Sequence, residues 1–496
     1  MKCGADIHQT TSMKVFVVNL LFFTAISLCA KDCNNSLNTD FQNIFVSSVK
    51  LIAEENDLPS FCKVRGIIEP NIGFEARLPS KNWNGRFFQA GCGGFCGLIE
   101  PDRTSQSNAI NHALRKGYAV ITTNGGHEGK HLGDASWAKN NPSAREVYAY
   151  SVIKFAYDAG HQLIRKYYNQ EPNFSYFSGC SNGGRLAAKA AQIYPDLFDG
   201  IISGCPILNL TENAGIFGPW LLQANLDERK NEILTNKFNS KLIWLEEYVL
   251  EKCDSLDGFE DQVIQNVKDC KLTFEDVEIC TDSINERCLT DKERNTLLKL
   301  YAGPTNSEGR KLFYGINPGS ERYLGHWYLG TSEKPRPGTL LADGFLPNFG
   351  FNFPGNFRAV DFNFDNDLEK LNLQKDLLDA TDPNLKNFFS SNGKLLMWAG
   401  LADPLVLPQQ TIDYFNSVKA LYGDQLDASF RLFLVPGMGH CWEIESRIPD
   451  QMSMLNVIEN WVEKDIAPDF IAINNSNLEA KVKTGFLRPY PLMAEY

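Results

Sequence analysis

From Gly73 to Gly204 short apolar runs alternate with amphipathic stretches. The runs at Arg86–Ala90, 118–123, 173–178 and Gly200–Gly204 have the length and β-branched or aromatic content of buried strands. Residues 146–168 set Val152, Ile153, Phe155, Ala156 and Ala159 near a 3.6-residue period, which predicts a helix, and 185–193 predicts another. The texture changes after about residue 208: 213–385 is rich in Asn, Asp, Gly, Pro and aromatics, with helical stretches at 239–252 and 291–301. Glu333-Lys334-Pro335-Arg336-Pro337-Gly338 reads as a loop. Buried-strand patterns return at Lys394–Gly400 and Phe430–Val435, and a helix at 453–464 follows. Strand–helix alternation of this kind predicts an α/β class with a mostly parallel sheet. The core is written in two pieces, 31–208 and 386–496, and 209–385 is a large inserted lid domain above the sheet's carboxyl edge.

The N-terminus changes the picture of where the protein works. Lys14 precedes an apolar run over 15–28, then the small pair Cys29-Ala30 and the polar Lys31-Asp32, which is the order of an export signal. Residues 1–30 are expected to be removed, with Met13 an alternative start and an acylated Cys29 an alternative processing site. No later stretch is long and apolar enough for a transmembrane helix, so a secreted or periplasmic protein is expected. With 43% hydrophobic residues, 22% charged residues and a net charge of -12, the chain lacks the basic stripe that a nucleic-acid partner requires.

Thirteen cysteines in an exported chain imply disulfides. Thirteen less Cys3 and Cys29 leaves eleven, an odd number. Local pairs are plausible at Cys253–Cys270, Cys280–Cys288 and Cys92–Cys96; Cys33–Cys62 would pin the mature N-terminus, and Cys205 is left over. Spacing alone does not fix this connectivity.

Two segments carry candidate chemistry. Gly179-Cys180-Ser181-Asn182-Gly183 places a serine in a G-x-S-x-G frame between a predicted strand and a predicted helix, the context of a nucleophile elbow. Pro436-Gly437-Met438-Gly439-His440-Cys441 places a histidine on a Gly-rich loop after a strand. Each candidate has a cysteine neighbour, and a Cys180–Cys441 bridge would hold nucleophile and base in register. A serine hydroxyl needs such a base to take its proton. The alternative base is His127, in a loop after the strand at 118–123. Asp403, directly after Lys394–Gly400, would orient the imidazole; it could equally start an Asp-Pro turn, and Asp382 is a second candidate acid. The backbone N–H of Asn182 and one from Gly93 or Gly94 would receive the oxyanion. Within the insertion, residues 253–263 cluster carboxylates around a glycine: Asp254, Asp257 and Asp261 could bind calcium with the carbonyls of Phe259 and Val263, or form a solvated acidic turn.

These residues resemble the tannase and feruloyl esterase family. The resemblance rests on Ser136-Trp137-Ala138, Tyr176–Arg185, Phe198-Asp199-Gly200-Ile201, the Cys253–Cys270 segment, Ala402-Asp403-Pro404 and Arg431–Cys441, and covers the mature chain. It implies an α/β-hydrolase core, a lid domain, the triad Ser181, Asp403 and His440, the bridge Cys180–Cys441, and a structural calcium ion on the lid loop. The chain departs from the family's pattern at Asn182, at Cys92 and at Trp442-Glu443-Ile444. The expected activity is hydrolysis of aromatic-acid esters, such as a hydroxycinnamate, a gallate or an aryl dicarboxylate half-ester, as small molecules or on a plant polymer. No organic cofactor is expected. Trp327, Phe345, Phe349, Phe351 and Phe353 could stack on the aromatic acyl group or form the lid's own core. The alternatives are an acyltransferase with the same triad and a non-catalytic secreted polyphenol- or carbohydrate-binding protein.

Overall fold

The computed structural model describes residues 33, 37 and 39–496, apart from 105–106, 281–285, 331–335, 442, 444–449, 478 and 480–481. The expected signal segment lies outside the described residues.

Among the described residues nine strands form one sheet: β1 (Ile44–Ile52), β2 (Phe61–Ile68), β3 (Ile72–Pro79), β4 (Arg86–Ala90), β5 (Ala119–Thr123), β6 (Phe174–Cys180), β7 (Gly200–Gly204), β8 (Lys394–Gly400) and β9 (Phe430–Val435). Their order is β1-β2-β3-β5-β4-β6-β7-β8-β9. The first three are antiparallel, β3 meets β5 antiparallel, and every pair from β5 to β9 is parallel. The result is an α/β-hydrolase-like fold. Strands β5, β7 and β8 are buried along their whole length, as a parallel sheet covered on both faces requires. Helix α1 (Val152–Tyr168) covers one face with Val152, Ile153, Ala156, Ala159, Leu163 and Ile164. Helix α2 (Asn182–Ile193) follows β6 directly. On the other face α4 (Met454–Lys464), capped by the Ser453 side chain, buries Met454, Leu455, Ile458 and Trp461.

Four of the strands expected from apolar runs occupy those bounds. The strand expected at 173–178 runs two residues further, to Cys180, so it delivers that cysteine to the sheet edge. The three antiparallel strands at the N-terminal side were not legible as apolar runs, because edge strand β1 leaves Phe45 (67%) and Leu51 (55%) exposed. The loop expected at 333–338 is corrected in part. Residues 333–335 lie outside the described set, but Pro337 and Gly338 open helix α3 (Pro337–Asn348). Proline at the first helical position has its φ already set and no N–H to lose.

Between β7 and β8 the chain adds no strand to the sheet among the described residues. Among the described residues five disulfides are formed: Cys33–Cys62, Cys92–Cys96, Cys180–Cys441, Cys253–Cys270 and Cys280–Cys288. Cys205 is a buried free thiol.

Candidate active site

Ser181 joins β6 to α2 with φ 62° and ψ -122°, a conformation that non-glycine residues adopt only when surrounding structure enforces it. The enforcement is close backbone packing. A Cβ on Gly179 would lie 2.6 Å from the Gly183 carbonyl, and one on Gly183 would lie 2.8 Å from the Gly91 oxygen. The Ser181 N–H donates to the Gly204 carbonyl (3.0 Å), tying the turn to the end of β7.

Asp403 follows β8. Its Oδ1 accepts the N–H groups of Leu405 and Val406, both at 2.9 Å. Its Oδ2 accepts the Nδ1–H of His440 at 2.7 Å. The pair is buried, at 0% and 4% exposure. The loop after β9 that carries His440 crosses Gly400, where a Cβ would meet the Met438 oxygen at 2.3 Å. Burial disfavours the imidazolium, but the charge and hydrogen bond of Asp403, with the charge of Glu443, outweigh it; the imidazole pKa sits above its ordinary value. The Cys180–Cys441 disulfide then links the residue before Ser181 to the residue after His440, with Cα atoms 5.8 Å apart. The His440 Nε2 lies 3.4 Å from Cys441 Sγ. Accepting from Nδ1–H, Asp403 fixes the tautomer that leaves Nε2 free to take a proton.

Asn182 is the first residue of α2, so its N–H has no acceptor within the helix. Its side chain is held by the scaffold: Nδ2 donates to the Cys92 carbonyl (3.1 Å) and Oδ1 accepts from Arg185 Nε (2.9 Å). It thereby braces the loop that the Cys92–Cys96 bridge closes. Of the two glycines in that loop, Gly94 (φ 57°) shares a cavity with Ser181, whereas Gly93 packs against Ser107.

Ser181 opens onto that cavity. Its walls come from Phe95, Tyr148, Leu210, Tyr328, Leu341 and Leu405 among others, and no lysine, arginine, histidine, aspartate or glutamate lines it among the described residues. The five lid aromatics singled out from the sequence do not line it. Phe345, Phe349 and Phe351 are fully buried against one another, and Phe353 stacks on Phe357. Trp327 instead meets the His440 ring edge-on, with centroids 5.2 Å apart. The true lining residues carry no periodic signal, because they come from seven separate stretches of chain.

The structure separates the alternative residues from this site. His127 stacks on Trp137 at 3.5 Å and its Nε2 bonds the Phe95 carbonyl at 2.6 Å; burial pushes its pKa down to about 4. It braces the loop of Gly94 rather than facing Ser181. Asp382 is exposed and accepts the Asn384 N–H.

In the acidic loop, Asp254 accepts the Gln262 N–H (3.1 Å), and Asp257 accepts from Phe259 N–H (3.0 Å) and Gln265 N–H (3.3 Å). Asp261 is 6% exposed; one oxygen accepts the Val263 N–H (3.3 Å) and the other has no partner. Burial, with the charges of Asp257 and Asp254, pushes its pKa up to about 6. The three carboxylates do not meet within 4.8 Å of one another; among the described residues only Cys205, Asp403 and His440 form such a group. An orphaned buried carboxylate oxygen beside two further carboxylates fits a hard cation, provided backbone carbonyls complete its shell.

A family model for tannase and feruloyl esterase matches residues 58–496. An uncharacterized esterase of Xanthomonas campestris pv. campestris is 32% identical over 484 residues, covering 88% of this chain and 82% of its own. Mono(2-hydroxyethyl) terephthalate hydrolase of Piscinibacter sakaiensis is 28% identical over 506 residues, covering 88% and 83%. The crystal structure of feruloyl esterase B from Aspergillus oryzae superimposes with a TM-score of 0.78 at 24% identity, covering 92% of this chain and 94% of that one.

Proposed function

The chain belongs to the tannase and feruloyl esterase family and is an ester hydrolase, and on that premise we propose that it cleaves esters of uncharged aromatic acids through Ser181, His440 and Asp403. The observation that carries the reading is the buried His440–Asp403 pair, linked through Cys180–Cys441 to a strained serine that opens onto an apolar cavity.

In the proposed mechanism His440 Nε2 takes the Ser181 hydroxyl proton while Oγ attacks the ester carbonyl. The N–H groups of Asn182 and of the Gly93–Gly94 loop, with Gly94 the better placed, stabilise the oxyanion. The imidazolium returns the proton to the leaving alcohol. Water then attacks the acyl-enzyme by the same route and releases the acid. Asp403 holds the tautomer and stabilises the imidazolium throughout.

The cavity supports an aromatic acyl group because its walls are apolar and aromatic. It also supports a choice among such groups. A half-ester with a free carboxylate on the ring would bury that charge with no cation among the described lining residues. Methyl ferulate is therefore expected to be a better substrate than mono(2-hydroxyethyl) terephthalate. Hydrolysis of these two and of methyl gallate, by wild type and Ser181→Ala, tests the reading. Turnover of any ester by Ser181→Ala at the wild-type rate refutes the nucleophile.

Two further assignments belong to this proposal. A calcium ion would be held by Asp254, Asp257 and Asp261 with the Phe259 and Val263 carbonyls, and would stabilise the inserted segment rather than take part in the reaction. Export is supported by the five disulfides, which persist in oxidising compartments. No helix of the described residues is long and apolar enough to cross a membrane.

A further inference from the structure

We infer that Glu443 is a positioning residue for the base: its carboxylate gathers the His440 backbone and the Trp327 indole into one hydrogen-bonded group and places a second negative charge beside the imidazole. The inference rests on the Ser181–His440–Asp403 reading above.

The geometry is specific. Glu443 Oε2 accepts the His440 backbone N–H at 3.2 Å and the Trp327 Nε1–H at 2.9 Å. The backbone around it closes on itself, since Gly439 N–H donates to the Glu443 carbonyl (2.8 Å) and Glu443 N–H to the His440 carbonyl (3.2 Å). Trp327 belongs to the turn Gly325–Leu329 of the inserted segment, and its ring sits edge-on to the imidazole at 84°. One carboxylate thus ties the insertion to the loop that carries the base.

Glu443 makes no contact with either imidazole nitrogen that an acid or base would need. Nδ1 is taken by Asp403, and Nε2 must face the serine. Its influence on the reaction therefore passes through the backbone and through its charge. Among the described residues, the groups that face this pair are Asp403 beyond the imidazole, His326, whose Nε2 is 3.8 Å from Glu443 Oε1, and the protonated Cys205 thiol. Burial raises the Glu443 pKa, opposed by the Trp327 hydrogen bond and by the charges on His440 and His326. Each charge favours the ionised form of the other group, so protonating Glu443 in acid withdraws one support of the imidazolium.

The sign follows. A neutral His440 is needed as base, and a nearby negative charge favours its protonation. Removing the charge on Glu443 makes the imidazole harder to protonate and moves the acid limb of kcat/KM to lower pH. It also removes support for the imidazolium that forms in the transition state, so the plateau falls.

The test is the pH profile of kcat/KM for methyl ferulate between pH 5 and 9, for wild type, Glu443→Gln and Trp327→Phe, with Ser181→Ala as the blank. Glu443→Gln keeps size and an acceptor oxygen and deletes the charge. Its plateau should fall by up to about tenfold through kcat, the scale of one charge-assisted hydrogen bond, with KM within about twofold. Its acid limb should move to lower pH. Trp327→Phe keeps a ring but deletes one donor to the carboxylate; its limb should move in the same direction by less. Acid limbs that superimpose on wild type in both variants overturn the inference, and if Glu443→Gln does not fold, the Trp327→Phe profile alone decides. Turnover by Ser181→Ala would overturn the triad reading and this inference with it. An inert Ser181→Ala beside superimposed limbs would overturn the role of Glu443 alone.

Discussion

Removing the Cys180–Cys441 bridge by a double substitution to alanine should cost both stability and rate, and the two losses have separate origins. The bridge closes a loop of 261 residues, far longer than the 29 of Cys33–Cys62. On the chain-entropy relation, such loops restrict the unfolded chain by about 5.6 and about 3.6 kcal/mol respectively at 25 °C. Cys180→Ala/Cys441→Ala should therefore unfold more easily than Cys33→Ala/Cys62→Ala by about 2 kcal/mol. The second loss is positional. Cys180 ends β6 and Cys441 follows the base, so without the bridge the His440 loop keeps its place beside Ser181 through noncovalent contacts alone, among them those of Asp403 and Glu443. A misplacement of about 1 Å at a reacting group costs on the order of 100-fold in rate. Urea unfolding followed by tryptophan fluorescence, with kcat for methyl ferulate measured in the absence of denaturant, separates the effects. The reasoning is refuted if the Cys180/Cys441 variant is no less stable than the Cys33/Cys62 variant and keeps kcat within about twofold of wild type.

Asp403→Asn should leave the backbone bonds at Leu405 and Val406 in place but lose the tautomer control, lowering kcat by about 10⁴-fold in a stopped assay, while thermal unfolding stays near wild type. In wild type the acid limb of kcat/KM should lie above the ordinary imidazole value of about 6.5, because the folded site raises the pKa of His440; a limb well below that value would contradict the Asp403 and Glu443 electrostatics. Dialysis against a chelator should lower the unfolding temperature, and calcium at about 100 times its dissociation constant should restore about 2.7 kcal/mol. Asp261→Asn should abolish that response, and a chelator-insensitive wild type would remove calcium from the acidic loop.

Much of the sheet was legible because parallel strands buried on both faces are written as unbroken apolar runs, as in Ala119–Thr123 and Lys394–Gly400. Ser181 was legible because the elbow demands glycines at 179 and 183, where any Cβ would strike backbone. The cavity was not. Phe95, Tyr148, Leu341 and Leu405 lie far apart in sequence, and only the folded insertion brings them together. The lid aromatics misled for the same reason: a cluster of phenylalanines is as good a core as a binding surface, and Phe345 and Phe349 take the core. Glu443 stood out in the sequence only as a departure from a glycine pattern; its role needs Trp327, 116 residues away in the chain.

The odd cysteine fits the same topology. Parallel strands β6, β7, β8 and β9 lie side by side, and the residues just beyond their carboxyl ends are Ser181, Cys205, the Asp403 loop and the His440 loop. Cys205 thus occupies the one strand end between nucleophile and acid, where its sulfur lies within 4.8 Å of ligand atoms on Asp403 and His440. A free thiol beside the backbone of Cys441 is a candidate for exchange with its disulfide, which would proceed through the thiolate. Burial, with the charge of Asp403, pushes the Cys205 pKa well above its ordinary value, so the sulfur stays protonated. Burial thus does most to keep the neighbouring thiol from attacking the bridge, and the Asp403 carboxylate adds to it. Asp403→Asn should for that reason make Cys205 easier to ionise, and the Cys180–Cys441 pairing should scramble more readily at alkaline pH in that variant than in wild type.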